Sequence, residues 1–430
     1  MTSDQVVMLL IDTALIILLA RALGAVAHRL GQPPVVGEVL AGILVGPTLF
    51  HGAVADHLFP VEVRPSLNAL ATVGVAVFMF FVGLELDGAL VRGKGRAVVT
   101  VSLSSITLPF CLGVALALYL ATRHTVPNRL GFVLFIGAAV SVTAFPVLAR
   151  ILADRSLLRT QFGGLALACA AVGDVLAWVI LAVVVALTDS GHGGQFRMLL
   201  LIPYVALMLF LVRPLLHRLG TTQESTATLT LGAIGTVLAG LLLSASLTEW
   251  MGLHFIFGAF LFGAVMPKEG AERLHEALTQ QIGRVSAVLL LPVFFVIAGL
   301  KVDLSDLDAS GLGDLALILV AAIGGKFAGV FSGARISGVD KRESAALATL
   351  MNTRGLTELI VLSVGQQLGV LDGKLYSLMV AMAVLTTVMT GPLLRLIWPA
   401  PDRRRGFDSA AVHSTVPEPA ALAVERLNRS

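Results

Sequence analysis

The chain has little charge for its length, with 13% of its 430 residues charged against 57% hydrophobic. A water-soluble domain needs about a quarter charged residues to cover its surface, so lipid must be the solvent for most of this chain. Cysteine is nearly absent. Cys111 and Cys169 each stand alone within an apolar run, which excludes a disulfide framework and a thiolate metal site. No GxxxxGK[ST], GxSxG or HExxH occurs, so nothing marks a phosphate cradle, a nucleophile elbow or a zinc hydrolase. The ten-residue alternation of a membrane β-barrel is also missing, which leaves helices to satisfy the backbone. The leading MTSDQ carries no basic residue, and the apolar run behind it is too long for a cleaved signal, so the first helix is expected to be retained.

Apolar runs long enough to cross a bilayer fill the rest. A spanning helix needs about 20 such residues, and the fold expected is an all-α polytopic membrane protein of about 13 spans. The first seven run from Val6 to Ala27, Pro34 to Phe50, Leu67 to Leu86, Ala97 to Leu120, Leu130 to Ala149, Gly163 to Leu187 and Met198 to Leu216. The last six run from Thr226 to Leu247, Glu249 to Met266, Ile282 to Leu300, Gly313 to Ala334, Glu343 to Gln366 and Tyr376 to Ile397. Assigning the connections alternately to two sides places 15 basic residues, among them Arg92, Lys94, Arg150, Arg284 and Lys341, against 6 on the other. Basic loops stay cytoplasmic, which predicts the N-terminus outside and the C-terminus inside, in a bacterial inner or plasma membrane. Residues 399–430, which open with Arg403, Arg404 and Arg405, read as a disordered cytoplasmic tail whose arginines meet lipid headgroups.

Two pairs of spans carry related text. FFVGLELD from Phe80 resembles FFVIAGLKVD from Phe294, and GEVLAGILVGP from Gly37 resembles HFIFGAFLFGAVMP from His254. Both pairs are seven spans apart, and an odd offset turns the second copy upside down. Spans one to six and eight to thirteen therefore read as inverted six-helix repeats joined by span seven, an architecture of alternating-access transporters.

An ionisable side chain near the bilayer centre costs several kcal/mol and needs a partner or a function. Asp174 lies mid-span in ALACAAVGDVLAWV, Lys326 in AAIGGKFAGV, and Arg354 and Glu358 in LMNTRGLTELIVL. Asp174 and Lys326 either form a buried structural pair or mark an ion path. Arg354 and Glu358, four apart on one helix face, read as a structural pair. In span five, SVTAFPVLAR runs from Ser141 through Thr143, and Pro146 removes a backbone donor there. In span twelve, Asn352, Thr353 and Gly355 have poor helix propensity. Both spans are expected to break at mid-membrane, where freed carbonyls and helix ends could hold a cation beside Asp174. Glu38 and Glu85 lie near span ends and are candidates for an entrance or gate, whereas His254 reads as a core histidine.

Taken together, SVTAFPVLARIL, AAVGDVLAWVILA, MPKEG, LLPVFFVIAGLKVD and LMNTRGLTELIVLSVG closely resemble the cation:proton antiporter-2 family, in particular its plant cation/proton exchanger-like branch. The resemblance covers nearly all spans. It implies a homodimer of 13-helix protomers that exchange Na+ or K+ for protons by an elevator-like motion, without a cofactor, in contact with membrane lipid and no nucleic acid. It also implies scaffold helices in residues 1–90 and 226–310, core transport helices in 91–190 and 311–398, and a connecting helix in 191–225. The broken spans five and twelve would cross. Asp174 stands at the family's essential aspartate, Thr143 at its span-five ligand with Ser141 beside it, and Lys326 at its core lysine, the expected charge partner of Asp174. Gly173 departs from the pattern, since the residue before the aspartate is usually Asn or Asp. The nucleotide-binding domain of some relatives has no counterpart in this chain. A sodium-coupled solute symporter is the rival within transport, and an intramembrane enzyme has little to support it.

Overall fold

The computed structural model describes residues 2–397 apart from 50–51, 86–94, 125, 127, 156, 158–159, 189–199, 226–230, 252, 268–269 and 306. Asp87, Arg92, Lys94, Arg159, Arg197, Lys268 and the tail from residue 399 lie outside the described residues. Every regular element described is helical. In chain order these are α1 (Ser3–Arg29), α2 (Pro34–Val45), α3 (Ala53–Leu58), α4 (Arg64–Glu85), α5 (Gly95–Leu120), α6 (Arg129–Ser141), α7 (Phe145–Asp154) and α8 (Gln161–Thr188). Next come α9 (Leu201–Leu207), α10 (Arg213–Ser225), α11 (Leu231–Trp250), α12 (Phe255–Ala264), α13 (Glu272–Leu278) and α14 (Leu291–Leu300). The last four are α15 (Ala309–Ile336), α16 (Lys341–Met351), α17 (Leu356–Gln367) and α18 (Gly373–Ile397).

Ten stretches of the described residues are long and apolar enough to cross a membrane, while α2 and α12 are shorter apolar helices. Several sequence boundaries move. Glu249, expected to open span nine, closes α11 instead, and its Oε2 accepts the Phe255 N–H at 2.7 Å to cap α12. Arg284, expected in a connection, lies inside the stretch Glu272–Leu300, which joins α13 to α14 through two π-helical turns.

The packing sorts most of these helices into two groups. Helices α5–α8 and α15–α18 pack closely on one another, as do α1, α2, α4, α11, α12 and α14. The groups meet far more thinly, mainly where α2 touches α18 and α14 touches α17. Inside the second group the backbones come unusually close. A Cβ on Gly83 of α4 would sit 2.1 Å from the Phe260 carbonyl oxygen, and one on Gly263 of α12 would sit 2.0 Å from that of Phe80. Gly42 of α2 and Gly299 of α14 have the same relation to Val296 and Val39, at 2.2 and 2.4 Å. Apolar side chains gain little from leaving lipid, so such backbone contact is how membrane helices attract one another. Each pair joins a segment of the first repeated text to one of the second.

Polar contacts tie the helix ends together at opposite faces. At one face, Arg123 and His124 beyond α5 reach Asp314 of α15 at 3.2 and 3.4 Å, and His124 reaches Asp372 before α18 at 3.2 Å. Asp308 caps α15 there, accepting the Gly311 N–H at 2.8 Å and lying 3.3 Å from Lys374. The N–H and the ammonium hold its carboxyl below the ordinary carboxylate value. At the other face, Arg155 and Arg342 donate to the Gly391 and Ile397 carbonyls at the end of α18, at 3.0 and 2.8 Å.

Gly263→Val is expected to abolish the monodisperse peak in detergent size-exclusion chromatography, because backbone fills the space its side chain needs. Gly235→Ala, at a position where a Cβ meets nothing within 4 Å, should leave the peak unchanged and raise the melting temperature slightly, by the difference of about 1 kcal/mol in helix propensity. A Gly263→Val protein as stable as wild type would disprove the reading of this contact.

Candidate functional site

Asp174 lies midway along α8 and is 2% exposed. Neither of its carboxylate oxygens has a hydrogen-bond partner. A buried carboxylate without hydrogen bonds is among the most costly groups a protein can hold, which makes Asp174 the leading candidate for a functional site. Its electrostatic neighbours are the Lys326 ammonium and the backbone N–H of Phe145, which faces it without closing a hydrogen bond.

Phe145 is the first residue of α7, and that position explains the arrangement. Span five breaks into α6 and α7 across residues 142–144. Pro146 falls in the first turn of α7, where no N–H is needed, so the break sits ahead of the proline. The positive end of a half-helix is thereby turned on the carboxylate. Span twelve breaks in the same way between α16 and α17, across residues 352–355. The two breaks bond to each other. The Ala144 N–H donates to the Thr353 carbonyl at 3.0 Å, and the Thr143 hydroxyl donates to the Met351 carbonyl at 3.0 Å.

At the end of α6 the Val142 N–H reaches back to the Ala139 carbonyl at 3.3 Å, and two buried cations donate to the carbonyls of this last turn. Arg354 donates to the Ala139 carbonyl at 2.8 Å and to that of Val140. Lys326 donates to the Ser141 carbonyl. The second contact of Lys326, at 3.0 Å, is the Ser105 carbonyl of α5. Pro109 lies four residues on inside α5 and cannot donate to that oxygen, so the lysine replaces the missing donor. Arg354 also pairs with Glu358 at 2.9 Å, both wholly buried; the pair is the expected one, but Arg354 reaches it from the break and not from a face of α17. The backbone of Arg354 is held by Thr387 of α18, which accepts its N–H at 3.1 Å and donates to its carbonyl at 2.6 Å.

Lys326 is an electrostatic neighbour of Asp174, but its recognised hydrogen bonds run to the Ser105 and Ser141 carbonyls and none reaches the carboxylate. The remaining sequence candidates divide. Ser141 and Thr143 lie at the break itself, 1% and 2% exposed. Thr353 donates to the Leu350 carbonyl at 2.7 Å and so caps α16, while Asn352 keeps a buried Oδ1 with no partner. Gly173 is buried, yet a Cβ there would meet nothing within 4 Å, so space lies open beside Asp174. Glu38 stands apart in α2, near Arg21 and Arg150. Glu85 is exposed at the end of α4. Sequence reading passed over Asp12, nine residues into α1 and 4% exposed with a bare Oδ2, although a lone aspartate in an apolar run is itself a signal.

Arg354→Met should destabilise the protein by about 3–5 kcal/mol in detergent thermal melts, since it strands Glu358 and removes the guanidinium donor from the Val140 carbonyl. Arg354→Met with Glu358→Gln should recover part of that loss by removing the unpaired charge. Equal melting of Arg354→Met and wild type would contradict the account.

Comparison with known proteins places this geometry among others. A family described as "Sodium/hydrogen exchanger, transmembrane" matches residues 14–398. The Na(+)/H(+) antiporter NhaS4 of Synechocystis is 40% identical over 93% of this chain and 100% of its own length. Cation/H(+) antiporter 20 of Arabidopsis thaliana is 38% identical over 97% of this chain, and K(+)/H(+) antiporter 1 of Saccharomyces cerevisiae is 31% identical over 93%. The chain spans about half the length of these two, 52% and 47%. In fold it resembles the sodium proton antiporter MjNhaP1 of Methanocaldococcus jannaschii, with a TM-score of 0.64 at 16% identity over 91% of this chain and 100% of that one.

Proposed function

Since the chain belongs to the sodium/hydrogen exchanger family, we infer that this integral membrane protein exchanges a monovalent cation, Na+ or K+, for protons by alternating access. The relatives named above are antiporters, which leaves a sodium-coupled symporter without support. The observation that carries the site assignment is the unpartnered, buried carboxylate of Asp174 facing the start of α7. A carboxylate in that setting needs a counter-ion, and a cation or a proton can each supply one. Binding of one excludes the other, and that competition couples the two fluxes. The Thr143 and Ser141 hydroxyl oxygens and the Asn352 Oδ1 are the further oxygens proposed for the cation. Lys326 and Arg354 hold the end of α6 in place, and Glu358 neutralises Arg354.

Helices α5–α8 and α15–α18 would move as the core against a scaffold of α1, α2, α4, α11, α12 and α14, with Glu38 and Glu85 at the mouths of the path and a second copy of the chain completing a homodimer. The thin contact between the groups supports this division. Because Lys326 is committed to carbonyls and Gly173 supplies no second carboxylate, one Asp174 trades one proton for one cation. Exchange is then electroneutral.

Asp174→Asn is expected to abolish cation-driven proton movement in proteoliposomes with a trapped pH dye, tested with Na+, K+ and Li+, while eluting as wild type does. Exchange by that variant at the wild-type rate would remove Asp174 from the mechanism, and a steady-state proton gradient that follows an imposed potential would overturn one-for-one exchange. Orientation has its own test in a background without Cys111 and Cys169. An impermeant thiol reagent on intact cells should label a cysteine placed at Glu62 and spare one at Lys341, and the reverse pattern would invert the topology.

A further inference from the structure

A proline inside a helix removes one N–H and leaves the carbonyl four residues earlier without its partner. Pro392 does this within α18, freeing the carbonyl of Val388. The oxygen is not left bare, because the Gln32 side chain donates Nε2–H to it at 3.2 Å. The proline and the glutamine belong to different packing groups. Gln32 lies in the connection between α1 and α2, and Val388 lies in α18.

The connection that presents Gln32 is rigid. Gly31 has a positive φ of 73° and donates its N–H to the His28 carbonyl at 2.9 Å, while the Gln32 N–H reaches back to that of Ala27 at 2.9 Å. These two bonds form a Schellman cap on α1, which needs a glycine-like conformation at Gly31. Pro33 and Pro34 follow at once and restrict the backbone on the other side. The amide is thus held in one place before any contact with α18 is made. A Cβ on Gly31 would lie 2.6 Å from Arg395 Nη2, and one on Gly391 would lie 3.6 Å from the Gly31 carbonyl oxygen, so cap and helix are in close register. Gln32 Oε1 is buried with no partner, which leaves the bond to Val388 as the amide's recorded contact.

We propose that Gln32 is a positioning residue for transport, a latch that holds the core against the scaffold in the described arrangement by supplying the hydrogen-bond donor that Pro392 removes from α18. The inference rests on the reading that the two groups move against each other. When α18 shifts along α2, the Val388 carbonyl loses Gln32 and no N–H of its own helix replaces it. The described arrangement is therefore favoured over the displaced one. Loss of the donor should change that ratio by about tenfold, in line with the cost of leaving a buried carbonyl unpaired.

The test compares wild type, Gln32→Met, Pro392→Ala and the double variant, because methionine keeps the length and unbranched shape of glutamine without its donor. Pro392→Ala restores an N–H at position 392, so Val388 no longer needs Gln32. Spin labels at Glu62 and Thr122, one in each group, report core position as populations in a distance distribution, and proteoliposome exchange gives turnover and the apparent cation KM. Gln32→Met is expected to lower the population of the described distance relative to the displaced one about tenfold and to alter turnover and KM unequally, whereas in the Pro392→Ala background it should change neither by more than about twofold. A tenfold shift in both backgrounds, or no shift in either, overturns the proposal. Wild-type protein that fails to exchange protons for any of Na+, K+ or Li+ would sink the functional reading alone, since the label distances still decide whether Gln32 and Pro392 are coupled.

Discussion

Inside a bilayer there is no water to accept or donate a hydrogen bond, so each carbonyl that leaves a helix must find a donor in the protein. The organisation around Asp174 follows from that constraint. Breaking span five after Ser141 strands the carbonyls at the end of α6, and breaking span twelve strands those of α16. The protein answers with long cationic side chains at the first break, Arg354 and Lys326, and with the hydroxyls of Thr143 and Thr353 at the second. The breaks are thereby stabilised, and α7 turns its first N–H, that of Phe145, toward the Asp174 carboxylate.

Proline recurs in the same role at separate places. Pro109 frees Ser105 for Lys326, and Pro392 frees Val388 for Gln32. The first of these lies within one packing group and locks α15 onto α5, where Gly329 also comes close, its would-be Cβ 2.3 Å from the Ser104 carbonyl oxygen. The second bridges the groups. Under the proposed motion, an identical backbone defect would make a permanent joint within one group and a reversible one between the two.

Much of this was legible before any coordinates. Asp174 stood out because an aspartate in a long apolar run needs either a buried partner or a function, and the disturbed helices of spans five and twelve announced themselves through Pro146, Asn352, Thr353 and Gly355. The ion pair expected of Arg354 and Glu358 is present, but not on one helix face, because Arg354 lies in the break ahead of α17 and only Glu358 is helical. The ends of spans eight and nine were misjudged because apolar text continues through the turn, and only the capping bond from Glu249 to Phe255 shows where one helix stops.

The partner of Lys326 was beyond local reading for a different reason. Its charge and depth were evident, and Asp174 was the obvious counter-ion, but an ammonium is satisfied by any acceptor within reach. Which acceptors those are depends on how α5, α6 and α15 cross, a matter of distances between residues as far apart as Ser105, Ser141 and Lys326. The sequence by itself determined the solvent, the helical class, the interruption of spans five and twelve and the burial of Asp174, Lys326, Arg354 and Glu358, because each follows from local composition and the cost of desolvation. Only the tertiary structure decided which carbonyl meets which cation and that Asp174 is left bare, because hydrogen bonds are short and the chain reveals which groups share that range only once it is folded.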